Sequence, residues 1–212
     1  MTDVKICGLS TSEAVTAALD GRAAFLGFNF FPASPRLVQP ELAARLAAPA
    51  RGQAKIVAVM VDPDDEGLDR VVDVLQPDLI QLHGRETPAR ARDVAARTGA
   101  GVIKVLPVSV AADVDAAQAF DGLVEHLMFD AKPAADADRP GGLGQPFDWT
   151  LLAGRRFQRP HLLAGGLDPW NVAEAIRLSG APIVDVSSGV ERGAGLKDAG
   201  LISAFLDAVA RA

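Results

Sequence analysis

Eight short β-rich runs alternate with Ala- and Leu-rich helical stretches, and this alternation constrains the fold more than any other feature. The runs cover residues 4–9, 24–30, 55–61, 79–83, 102–108, 126–131, 161–167 and 183–189. Helical spacing appears at 11–20, 41–48, 67–75, 88–98 and 169–179. The last run is followed by 198–211, which places Ile202, Phe205, Leu206 and Val209 on one face. The fifth and sixth helices are less clear: 110–120 is a fair candidate, and 148–153 is short. Strand–helix alternation predicts parallel strands joined by right-handed crossovers. An open doubly wound sheet and a closed barrel both satisfy that rule. Eight nearly equal units of roughly 26 residues favour closure, so the expected fold is an α/β (β/α)8 TIM barrel.

A chain of 212 residues can bury one substantial core and is short for two domains. No composition shift marks a boundary, so a single catalytic domain over 1–212 is expected. The one loose segment is 133–146, PAADADRPGGLGQP, which follows the sixth run. In a compact chain a structureless loop of this size is usually functional or mobile.

Polar residues inside apolar strands are the strongest sign of a site. Residues two apart on a strand share a face. Lys5 and Cys7 oppose Val4 and Ile6 in the first run, and Gln81 and His83 oppose Ile80 and Leu82 in the fourth. Asp130 opposes Leu127 and Phe129 in the sixth, and Asp185 and Ser187 oppose Val184 and Val186 in the eighth. In a barrel the apolar set packs on the helices and the polar set points inward, near the strand ends where barrel enzymes build their sites. A buried charge is costly unless paired or used. On one strand a structural ion pair explains it equally well; the same parity on four strands points to a site. Lys5 and Asp185 are expected to pair, because the first and eighth strands adjoin in a closed barrel.

A net charge of −6 argues against nucleic acid or an anionic membrane as a partner. It leaves a phosphorylated substrate open, because backbone dipoles bind anions locally. A single cysteine excludes an intrachain disulfide and fits a reducing compartment. The opening MTDVKICGLS has no basic lead and no long apolar stretch, and no segment has the length of a membrane span. A cytoplasmic protein is expected. No His/Cys/Asp/Glu cluster has metal-ligand spacing, and His126 and His161 are expected at the far end of the barrel.

KICGLS, GFNFFPASPR, QLHG, FDAK followed by GGLGQPFDW, LAGGLDPWNVAEAI and VDVSSGVERGAGLKD occur in that order. Together they closely resemble the motif set of the phosphoribosylanthranilate isomerases, from residue 5 to about residue 198. The resemblance implies an Amadori rearrangement in tryptophan biosynthesis, an aldose–ketose isomerisation of a phosphosugar without metal or cofactor, by a monomer or homodimer. It implies Cys7 as general base and Asp130 as general acid. Each role needs a shifted pKa. A cation such as Lys5 would help ionise the thiol, and Asp130 would need desolvation or a nearby anion to keep a proton. Outside this context a lone strand cysteine reads as a buried structural thiol.

The resemblance also assigns Arg36 to the anthranilate carboxylate, a task that suits a planar bidentate donor. Phe30, Phe31 and Pro32 are open between ring packing and core. Gln81 and His83 match QLHG; His83 reads as support for the site rather than as a proton carrier, and Lys5 and Asp185 join the substrate-binding set. Phosphate is expected at the ends of the seventh and eighth strands, on Gly165, Gly166, Ser187, Ser188 and Gly189, with Gly142 and Gly144 contributing from the loop. Two positions depart from the family pattern. Leu143 stands where a small hydroxyl residue is usual, and Ala194 where proline is common.

Rival readings fail on particular residues. The ProFAR isomerase of histidine biosynthesis uses paired aspartates, whereas this chain has Cys7 in the first strand. Indole-glycerol-phosphate synthase uses lysine and glutamate chemistry on a longer chain. A binding-only barrel would be expected to lack Cys7 or Asp130, and a dinucleotide-binding sheet would need GxGxxG where the chain has Cys7-Gly8-Leu9-Ser10.

Overall fold

The computed structural model describes residues 2–132 and 146–212. Eight parallel strands close into a barrel in sequence order: β1 (Asp3–Cys7), β2 (Phe25–Asn29), β3 (Lys55–Met60), β4 (Leu79–Leu82), β5 (Gly101–Val108), β6 (His126–Ala131), β7 (Leu162–Leu163) and β8 (Ile183–Val186). Closure comes from β8 pairing with β1, where Lys5 lies in register with Asp185. The helices are α1 (Ser12–Asp20), α2 (Pro40–Ala47), α3 (Asp65–Leu75), α4 (Pro88–Thr98), α5 (Ala111–Asp115), α6 (Val172–Ser179) and α7 (Ala199–Ala210). A short antiparallel hairpin, β9 (Glu191–Gly193) and β10 (Leu196–Lys197), follows β8.

Strand parity divides the buried residues into two sets, as the sequence pattern predicts. Val4, Ile6, Leu26, Phe28, Ile80 and Val184 pack outward beneath the helices. Phe25, Val57, Val59, Ile103, Val105 and Met128 fill the interior. Each fully buried side chain of this size contributes roughly 1.5–3 kcal/mol. The interior set also contains Cys7.

Helix limits follow local chemistry. The Asp64 carboxylate accepts from Gly67 N, so α3 begins at Asp65, two residues earlier than its apolar pattern indicates. Asp168 accepts from Trp170 N and Asn171 N, so the chain makes a turn there and α6 begins only at Val172. The weak fifth helix is α5 continued by a 3₁₀ turn at Ala116–Ala119, and 148–153 holds only a 3₁₀ turn, Trp149–Leu152. The seventh run, 161–167, yields a two-residue strand because Gly165 and Gly166 have φ of 86° and 66° and leave the ladder.

Candidate active site

Cys7 ends β1 and faces the interior, with 7% of its surface exposed. Lys5 lies below it on the same face, fully buried, and donates to Asp185 Oδ1 at 2.7 Å. The expected contact between the first and eighth strands is therefore made. Gly27 on β2 leaves room for both: a Cβ there would lie 3.1 Å from Lys5 Nζ and 3.2 Å from Cys7 Sγ.

The electrostatics at Cys7 differ from the sequence expectation. Burial pushes the thiol up; Lys5 pulls it down, but Asp185 opposes that, and the net shift is upward. Lys5 does not win because the loss of hydration at the buried thiol is the larger effect, and the Asp185 charge offsets part of the lysine's. Burial pulls the Lys5 ammonium down, but Asp185 and Cys7 outweigh it and hold the lysine above its ordinary value.

Asp130 lies on the interior face of β6, 7% exposed. Its Oδ1 accepts from Ala131 N at 2.8 Å, and its Oδ2 lies 3.3 Å from His83 Nε2. Gln81, buried on β4, brings its Nε2 to 3.1 Å from His83 Nδ1. Gly165 fits against this carboxyl group; a Cβ there would come within 2.5 Å of Ala131 N and 3.0 Å of Asp130 Oδ1.

The loop after β4 is held from outside the barrel. Lys104, facing outward on β5, donates to Gly84 O at 2.8 Å and to Glu86 Oε2 at 2.5 Å. Glu86 Oε1 in turn accepts from Asp62 N and Gly84 N, joining the loops after β3 and β4. Sequence reasoning missed both charged residues. Lys104 alone among apolar neighbours on β5 was the available signal.

Arg36 is buried beside the first strand. A Cβ on Gly8, whose φ is 78°, would lie 2.6 Å from Arg36 Cδ. The guanidinium donates through Nε and Nη2 to both Glu191 oxygens, at 2.7 and 2.9 Å. Lys197 donates to Glu191 Oε1 at 2.5 Å and to Ser187 O at 2.9 Å, and Ser187 Oγ donates to Cys7 O at 3.2 Å. Burial raises the Glu191 carboxyl, but the Arg36 hydrogen bonds and Lys197 more than reverse this and hold it low. Burial lowers Lys197 despite Glu191. Glu191 and Lys197 were also missed, although ERGAGLK, with Gly between charged ends, is a short-hairpin pattern. Phe30 packs on the outer core, and Phe31 is half-buried.

The loops after β7 and β8 adjoin. A Cβ on Gly189 would lie 1.9 Å from Leu167 O, so only glycine permits this approach. Gly165, Gly166, Ser187, Ser188 and Gly189 are half-buried around it. Gly142, Leu143 and Gly144 lie outside the described residues. His126 begins β6 and His161 precedes β7, both at the barrel end away from Cys7 and Asp130.

Comparison with known proteins matches residues 4–208 to the family described as N-(5'-phosphoribosyl)anthranilate (PRA) isomerase. A protein named N-(5'-phosphoribosyl)anthranilate isomerase from Caulobacter sp. (strain K31) is 67% identical over 212 residues, covering 100% of both chains. One so named from Rhizobium meliloti (strain 1021) is 50% identical over 211 residues, 100% of this chain and 98% of the relative. The crystal structure of the phosphoribosyl anthranilate isomerase from Thermotoga maritima superposes with a TM-score of 0.89 at 34% identity, covering 100% of both chains. A phosphoribosyl anthranilate isomerase in complex with reduced 1-(o-carboxyphenylamino)-1-deoxyribulose 5-phosphate gives a TM-score of 0.86 at 32% identity, again over 100% of both chains.

Proposed function

Because the chain belongs to the N-(5'-phosphoribosyl)anthranilate isomerase family, we propose that Cys7 and Asp130 are the base and acid of its reaction. The enzyme converts N-(5-phosphoribosyl)anthranilate to 1-(2-carboxyphenylamino)-1-deoxyribulose 5-phosphate, a step of tryptophan biosynthesis. Asp130 delivers a proton to the ribose ring oxygen as the bond from that oxygen to C1 breaks. The aniline nitrogen supplies the electron pair and becomes an iminium at C1. Cys7 then removes the C2 proton, and the electrons of that bond neutralise the iminium to give an enolamine. Tautomerisation places the carbonyl at C2. No electron leaves the substrate; C1 is reduced as C2 is oxidised.

One observation carries the assignment: the thiol and the carboxyl group face the same interior from two non-adjacent strands, near the ends that also hold the glycine-rich loops. A pair so placed can work on opposite sides of one sugar. The buried thiol is mainly protonated in the free enzyme, so the base acts through its thiolate fraction, with Lys5 and Lys197 as the nearby cations that favour it.

Arg36 binds the anthranilate carboxylate. Gly165, Gly166, Ser187, Ser188 and Gly189 receive the phosphate, with Gly142 and Gly144 joining them. Gln81 and His83 flank the acid, and Lys5 and Asp185 support the substrate from below. The reading includes a single domain over 1–212, monomeric or homodimeric and cytoplasmic. Among the described residues no helix is long and apolar enough to cross a membrane.

The test is the fluorescence assay of the purified protein on freshly made phosphoribosylanthranilate. Cys7→Ser and Asp130→Asn should each lower kcat by roughly a hundredfold or more while the protein stays folded. Full turnover in either variant removes that residue from the chemistry.

A further inference from the structure

The hairpin β9–β10 carries a cluster whose grip on Arg36 the acid–base steps do not explain. Glu191 and Lys197 lie on its two strands, and their side chains are 4% and 0% exposed. Glu191 takes Arg36 through the Nε and Nη2 edge of the guanidinium, which leaves the Nη1 edge for another acceptor. Three further contacts fix the geometry. Ser34 Oγ accepts from Arg36 N at 3.1 Å, Gly195 N donates to Glu191 Oε2 at 3.2 Å, and Gly8 packs on the arginine stem. Arg36 cannot swing without breaking a bidentate pair.

Charge gives the second half of the argument. Within the cluster two cations, Arg36 and Lys197, share one carboxylate. Buried charges are ordinarily balanced. A structural pair would need only one cation. The excess positive charge lies next to Gly8, the residue after Cys7, where an incoming anion would complete the balance.

The geometry points to Glu191 as a positioning residue for substrate recognition: it grips one edge of Arg36 so that the other edge meets the substrate carboxylate. Lys197 holds Glu191 and supplies the unbalanced charge that the carboxylate neutralises. The proposal rests on Arg36 as the carboxylate-binding residue. It makes β9–β10 the element that selects an anthranilate over an uncharged aniline, and it places Ala194, the departure from the family pattern, in the turn of that element.

Steady-state kinetics on phosphoribosylanthranilate and on phosphoribosylaniline, which lacks the carboxylate, test it. Glu191→Gln should raise KM for the carboxylated substrate about ten- to hundredfold, the range of one charge-assisted hydrogen bond, with kcat nearly unchanged. KM for the aniline should not move. Lys197→Met, which leaves a balanced Arg36–Glu191 pair and guards against misfolding of the first variant, should raise the same KM selectively, beside a fall in kcat common to both substrates from the loss of a cation near the Cys7 thiol. An unchanged KM in Glu191→Gln, or equal effects on both substrates, overturns the proposal. So does a loss confined to kcat in Lys197→Met. Arg36→Ala separates the two levels. If it raises KM selectively and Glu191→Gln does not, only the positioning role falls. If it leaves KM unchanged, the carboxylate assignment itself fails.

Discussion

His83 Nε2 lies 3.3 Å from Asp130 Oδ2, while Gln81 Nε2 lies 3.1 Å from the other nitrogen of the same ring. The first separation is a polar contact without hydrogen-bond alignment, and Nε2 has no aligned acceptor among the described residues. Contacts of this kind tighten when substrate orders a site. With the Gln81 amide donating to Nδ1, the imidazole carries its proton on Nε2, facing the acid. His83→Leu is expected to lower kcat about ten- to hundredfold with a smaller change in KM, and His83→Gln to recover part of it. Nitrogen-15 NMR of the three histidines checks the tautomer; a proton on Nδ1 in the free enzyme contradicts the assignment.

The raised Cys7 thiol sets a pH dependence. Because burial disfavours the thiolate, its fraction at neutral pH is below that of a free cysteine. Alkylation by iodoacetamide should be slow near pH 7 and keep accelerating beyond the ordinary thiol value of about 8.5. A plateau in the alkylation rate below pH 8 contradicts the shift.

The Lys5–Asp185 pair closes the barrel seam and is buried on both sides. Asp185→Asn leaves an ammonium with no carboxylate partner and is expected to cost about 3–5 kcal/mol in urea unfolding, whereas Lys5→Met/Asp185→Leu should be near neutral in stability. The folded lysine pKa is raised, so its contribution is complete below the unfolded value and is lost as pH climbs through the folded one. A single substitution that costs under 1 kcal/mol would show that the seam does not depend on the pair.

His161 packs edge-on against Phe157 and Phe129, with ring centroids 4.9 and 5.8 Å away. Burial lowers its pKa from 6.5 to about 4. The unfolded chain therefore binds the proton more readily, and stability should fall by roughly 2–3 kcal/mol as pH drops through that window. His161→Phe should flatten the slope. Urea midpoints measured between pH 4 and 7 decide it, and identical slopes in the two proteins would refute the shift.

The barrel was legible because period-two alternation survives burial on both faces: Lys5 and Cys7 mark one face of β1 and Val4 and Ile6 the other. The polar interior set was legible for the same reason, since a charged residue in such a strand needs a partner. Glu191, Lys197, Glu86 and Lys104 were not. Lys104 on its strand and the ERGAGLK hairpin left local signals, but what Glu191 holds is Arg36, 155 positions away, and local spacing carries no trace of that distance. The sign of the Cys7 shift was misjudged because the sequence places Lys5 and Asp185 beside the thiol but does not show how completely burial strips it of water, the larger effect. Short elements were overextended where a side chain caps the backbone, as Asp168 does before α6.

The seventh strand contributes only Leu162 and Leu163 to the ring, pairing with Met128 and Phe129 on one side and Ile183 and Val184 on the other. A hoop opens first at its thinnest stave. Local opening there costs few hydrogen bonds, so amide exchange should be fastest along this seam, between the strand bearing the carboxyl group and the strand leading to the second anion loop. The catalytic mouth can thus breathe at one place while the rest of the wall keeps its ladders intact.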